Sequence, residues 1–310
     1  MSAPHIVEGP ADPRTLAMGQ PDERGGSLGK DAWQRLRRNP AAIVGAILVL
    51  LFVVVALLAP WLAPYGPTET PGKGIVTPTN IPGPSADHWM GLDNLGRDEL
   101  SRVLYGARQS LVIGVVSLLL GATVGILVGL LAGAFGGWVD TLVMRLVDMM
   151  LAVPGLLFAI AVAAALGQSL TSVMIAIGVT NVPIFARLLR GSMLAQRESD
   201  YAVAATSLGV RRRAVILRHV LPNSISPVIV QGTLTLATAI IDAAGLSFLG
   251  LSGADPGVPE WGRMLSETQR YLASAFHLAV FPGIAIVIAA LGFTLLGESL
   301  REALDPKYRR

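Results

Sequence analysis

The chain has 310 residues, 52% of them hydrophobic and 15% charged, with a mean hydropathy of +0.59. That balance is too apolar for an ordinary soluble domain and places the chain in a membrane. The net charge of +3 is small, no basic stretch is interleaved with stacking aromatics, and a nucleic-acid partner is excluded. The absence of cysteine removes disulfides, thiolate nucleophiles and Cys-based metal sites.

Residues 1–29 are rich in Pro, Gly, Asp and Glu, lack hydrophobic periodicity, and read as a disordered cytosolic tail. Across its end, GGSLGKD at 25–31 has three residues between Gly25 and Gly29 where a phosphate loop needs four, and Asp31 stands in place of the magnesium-binding hydroxyl. No ATP is expected to bind or be hydrolysed here. Residues 30–40 set Trp33 and Leu36 among Lys30, Arg35, Arg37 and Arg38, the composition of an interfacial helix.

Six segments approach or exceed the ~20 apolar residues that cross a hydrocarbon core: 41–63, 109–136, 141–166, 171–189, 222–245 and 278–297. The first follows a long polar leader and exceeds a signal-peptide core, so it reads as an uncleaved anchor. Residues 64–108 form an extracytoplasmic loop, Pro- and Gly-rich to about Gly96. The loop then turns amphipathic, with Leu100, Val103, Leu104 and Ala107 opposite Arg97, Arg102 and Arg108. The core, 109–300, follows, and 301–310 is a second cytosolic tail. The pattern predicts an all-α membrane protein.

The second segment carries Gly121, Gly125, Gly129 and Gly133 at four-residue steps, a ridge that lets two helix backbones approach. Its neighbour is either another helix of this chain or a second subunit. In the third segment Arg145 and Asp148 form an i, i+3 pair near the cytosolic end. Asn181 and Pro183 interrupt the fourth, either lining a pathway or marking a kink that neighbouring helices accommodate. Asp242, about 20 residues beyond Pro222, is expected close to the outer face and solvated.

Loop 191–221 is polar and basic between two apolar segments. Tyr201, Ala204, Ala205 and Leu208 fall at i, i+3, i+4 and i+7, giving a short helix one narrow stripe of mostly small side chains. Gly209 stops that helix, and the Leu221-Pro222 pair opens the next span. Arg211, Arg212 and Arg213 serve either docking or topology. With six spans, the basic residues before the first, in this loop and after the last share one side, which is cytosolic, as are both termini. His5, His88, His219 and His277 are too scattered for a metal motif.

This loop resembles the coupling segment of ABC-importer permeases, with Val203 where that family usually has Glu. HWMGLDNLGRDELSRVLYGARQSL, FARLLRG, GLSFLGLSG, PEWGRML and LLGESLREALDPKYRR are similar, in order, to the dipeptide/oligopeptide permeases, although the family tends to carry a Glu where this chain has Ala243. The resemblance runs from about Trp33 to Lys307 and implies the six-helix type I ABC importer permease fold. It further implies a C-type subunit paired with a homologous B-type permease. Two cytosolic ATPases would use ATP and Mg, and an extracytoplasmic binding protein would deliver peptides. Alternatives are nickel or another small solute as cargo, a self-contained secondary transporter, or a non-transporting scaffold.

Overall fold

The computed structural model describes residues 33–77, 80–253, 255 and 257–304; the tail 1–29, the glycine run at 25–31 and the last six residues lie outside that set. Its elements are helical. Of the expected interfacial helix, residues 33–36 form one turn beneath α1 (Pro40–Leu62). Asn39 caps α1, its Oδ1 accepting from the Ala41 amide at 2.9 Å, and Pro40 supplies a first-turn residue that needs no donor.

The amphipathic stretch and the second apolar segment are one helix, α2 (Glu99–Phe135), capped by Asp98. Nothing between them breaks the helix, so α2 runs 37 residues. The third segment is not one helix. α3 (Gly137–Ala152) and α4 (Gly155–Leu166) meet at 94°. Pro154 causes the break: it lacks an amide, and its ring drives Val153 to extended backbone (φ −89°, ψ 131°).

The fourth segment corrects the opposite expectation. α5 (Leu170–Arg197) passes through Asn181 and Pro183 without interruption, with Asn181 Nδ2 bonding back to the Ile177 carbonyl at 2.8 Å inside the packed core. After it come the short α6 (Asp200–Ser207), one helical turn at Arg212–Ala214, a π-helical turn at Val215–Val220 and a turn at Leu221–Ser224. The fifth span, α7 (Ser226–Phe248), therefore starts at Ser226, with Pro227 in its first turn, rather than at Pro222, which lies in the separate turn before it. α8 (Trp261–Thr268) lies outside the spans, and α9 (His277–Leu304) carries the sixth segment seven residues further than expected.

Among the described residues five helices are long and apolar enough to cross a membrane, six if the bent pair α3–α4 counts as one span. The most extensive packing joins α2 to α5. The core has three main apolar clusters: one around Phe52, Trp261 and Phe293, one around Ile113, Ile177 and Leu246, and one around Phe185, Met193 and Val220 beside α6.

Candidate functional site

The glycine ridge of α2 lies against α5 of the same chain. A Cβ on Gly121 would stand 2.7 Å from the Gly178 oxygen, on Gly125 2.6 Å from Phe185 Cβ, and on Gly129 2.6 Å from the Ala186 oxygen. At Gly133 the neighbour is the Met193 sulfur at 3.0 Å, a flexible side chain. The two backbones thus touch along more than two turns, a spacing only glycine permits.

At one end of this seam sits α6. Its inward residue is Ala202, 2% exposed, which the apolar stripe read from sequence left out. Ala202 packs with Phe185, Leu189 and Met193 of α5 and with Val215, Ile216 and Val220 of the π turn. Ala205, one of the stripe residues, turns the same way and is half-buried in this cluster. The outward face is therefore rotated from the expected one: Tyr201, Val203, Ala204 and Leu208 are exposed, Val203 by 54% and Leu208 by 84%. Gly209 adopts φ +78°, a left-handed stop that a side chain would strain. Leu221 is half-buried beside the cluster, and Pro222 is exposed.

The arginines divide by role. Arg212 donates to the Ala134 and Phe135 carbonyls at 2.8 and 3.1 Å, and Arg197 to the Gly133 carbonyl at 3.1 Å. Both satisfy carbonyls left open at the end of α2, where a cation is also favoured by the helix dipole. Arg211 and Arg213 stay exposed on the surface of the loop.

Acidic side chains of α3 tie it to α5. Asp140 receives a two-pronged contact from Arg190, at 2.5 and 2.6 Å. Asp148 pairs with Arg187 rather than with Arg145, because the turn of α3 presents it to the neighbouring helix. Asp242 is half-buried on α7.

At the far end of α2 lies an ionic cluster that the sequence did not single out. Arg97 Nε meets Asp93 at 2.5 Å, while Arg97 and Arg102 both reach Glu267 Oε2 at 3.1 Å, and Arg263 holds the other oxygen of Glu267 at 3.1 Å. Arg97, Arg102 and Asp93 are buried, so each charge depends on these partners. The Trp261 indole donates to the Val103 carbonyl at 2.9 Å, and its ring occupies the place a Gly106 side chain would take. Glu260 caps α8 by accepting the Gly262 and Arg263 amides, each at 2.9 Å. Burial nonetheless holds its carboxyl above the usual range.

Helices threaded this way, with a small helix seated on one end of a glycine seam, define a type I ABC-importer permease. The fold matches an amino acid ABC transporter solved with histidines (TM-score 0.52, 14% identity, 64% of this chain and 92% of that one). It also matches the MetNI methionine ABC transporter in an inward facing conformation (TM-score 0.53, 16%, 66% and 96%).

Residues 125–310 match the model of the binding-protein-dependent transport system inner membrane component, and residues 27–76 that of the N-terminal TM domain of oligopeptide transport permease C. The chain is 44% identical over 285 residues to the dipeptide transport system permease protein DppC of Alkalihalophilus pseudofirmus, covering 90% of each. It is 46% identical over 278 residues to the glutathione transport system permease protein GsiD of Escherichia coli O157:H7, covering 89% of this chain and 90% of that one. The chain belongs to the binding-protein-dependent inner-membrane permeases, within the dipeptide/oligopeptide branch of ABC importers.

Proposed function

We propose that this chain is the C-type half of a peptide importer's membrane channel, paired with a homologous B-type permease. Two cytosolic ATPases, which use the ATP and Mg, drive it, and an extracytoplasmic binding protein supplies the substrate. The chain itself binds no nucleotide. Both termini and α6 face the cytosol, since the basic residues before α1, around α6 and after α9 share that side. The names of the relatives point to dipeptides or short peptides such as glutathione as cargo.

The observation that carries this reading is the outward face of α6. Val203, Ala204 and Leu208 form an exposed apolar edge on a helix whose other side is anchored in the core, and an exposed apolar edge held in place is a protein-docking surface. ATP-driven closure of the ATPases would carry α6 and the seam behind it as one body, so the chain alternates between outward and inward states.

The test is copurification of ATPase subunits with the tagged chain from its native membrane, followed by peptide-stimulated ATP turnover after reconstitution with the binding protein. Retention of two ATPases and stimulation by a dipeptide are expected. A chain that copurifies with none and moves peptide down an ion gradient would establish a secondary transporter instead.

A further inference from the structure

We propose that a cavity between α3, α5 and α7 is this chain's share of the peptide path, and that Arg187 and Asp148 receive the two charged termini of the cargo. The proposal rests on the importer reading above. The cavity is an open groove of about 610 Å³, and Asp148 stands beside it through its pair with Arg187. Leu151, Ile184 and Leu188 form its apolar wall, with Arg187, Ser192 and Gln231 as its polar groups. A second cavity of about 340 Å³ shares Leu188 and Gln231 and runs on to Arg301 of α9.

Depth decides what this side of the molecule faces. Gln231 is five residues inside α7, about 7 Å past its start, and Arg187 stands ten residues before the end of α5, about 15 Å. α7, at 23 residues, is just long enough to cross the hydrocarbon. Arg187 and Asp148 are 55% and 60% exposed at that depth. The full cost of a lipid-facing charge applies at the bilayer centre; near the cytosolic end of a span the side chains reach the interface, so the open side of this pair faces water or a polar occupant.

The neighbouring pair shows what a purely structural contact looks like. Arg190 and Asp140 are only 31% and 16% exposed and are joined by two bonds, which clamps α3 to α5. Arg187–Asp148 has a single bond and an open side. An exposed pair of this kind contributes at most ~1 kcal/mol and separates easily. A free peptide is a zwitterion carrying both complementary charges: its carboxylate fits the guanidinium fork and its ammonium fits Asp148. Exchanging one pair for two is close to neutral, which suits a path that must let its cargo go.

The chain contains no cysteine, so single thiols can be placed without background from this subunit. Ser192→Cys and Gln231→Cys are placed in the assembled complex, with Leu119→Cys on the apolar face of α2 as the control. A membrane-impermeant maleimide should label the first two at least tenfold faster than the control. Saturating alanyl-alanine should slow labelling at Ser192→Cys severalfold and its C-terminal amide should not, and Arg187→Gln should erase the difference. Labelling no faster than the control overturns the pathway assignment. Absent protection, or equal protection by peptide and amide, overturns the role of Arg187. ATPase copurification, scored on the same preparations, fails separately if the importer reading is wrong.

Discussion

Gly129→Ala tests the seam with the smallest available change. The added methyl would lie 2.6 Å from the Ala186 backbone oxygen and 3.1 Å from Ala186 Cα, and no side-chain rotation can relieve a clash with backbone. α2 and α5 must part, and overpacking of this kind costs about 1–3 kcal/mol, with the upper end expected where both partners are backbone. Alanine recovers roughly 1 kcal/mol of helix propensity, which leaves a net loss of about 2 kcal/mol at the upper end. Gly133→Ala meets the Met193 side chain, its sulfur at 3.0 Å and its Cβ at 3.2 Å; the sulfur can swing aside and the Cβ contact needs a shift of only a few tenths of an ångström, so the change costs less than Gly129→Ala. The assay is the fraction of purified complex that stays assembled on gel filtration after graded heating. Gly129→Ala should lower the midpoint by several degrees. Equal midpoints for the two variants, or a higher one for Gly129→Ala, would refute the backbone-contact argument. Gly125→Leu and Gly129→Leu should abolish assembly.

On α6, Ala204→Arg and Leu208→Glu place a charge on the outward edge and should cut ATPase copurification tenfold or more while the subunit's expression holds; normal coupling in both would remove α6 as the docking surface. Ala205→Arg should instead unseat the loop from Val215 and Val220 and lower the stability of the whole chain, and proteolysis of the loop distinguishes the two outcomes. Val203→Glu adds a charge at an exposed position and should leave stimulated turnover within twofold. The purified subunit alone should show no ATP turnover above a contaminant-free background. For Glu260 the folded pKa lies above the ordinary 4.5, so the carboxyl's contribution is full below 4.5 and is lost as pH rises through the folded value. Glu260→Gln should therefore flatten the fall in thermal stability as pH rises above 4.5, and an unchanged slope would refute the burial argument.

The spans, the glycine ridge and the α6–Gly209 punctuation were legible because each rests on local pattern: long apolar runs, a four-residue period, a helix stop. Where two rules competed, the sequence misled. Pro154 was passed over inside a continuous apolar run, yet it splits α3 from α4, while Pro183, equally visible, is absorbed by packing around α5. Chain-local reading cannot distinguish them, since the outcome depends on what surrounds each carbonyl. The stripe on α6 was displaced for a related reason. Periodicity finds a face but not its direction, and Ala202 became the anchor because α5 and the π turn offer it a pocket. The Asp93–Arg97–Arg102–Glu267 cluster was invisible because Glu267 comes from a helix 165 residues along from Arg102. One cue was available: three arginines at 97, 102 and 108 just outside a span need acidic partners from somewhere.

The length of α2 makes it a lever. Its 37 residues extend about 55 Å, well beyond a ~30 Å hydrocarbon core. One end is gripped by buried ion pairs, the other by guanidinium groups of the α6 region, and the middle is pressed against α5 with no side chains between to yield. A soft, side-chain-mediated contact would absorb a displacement as rotamer changes. Backbone against backbone cannot, so a tilt imposed at one membrane face arrives at the other as a tilt.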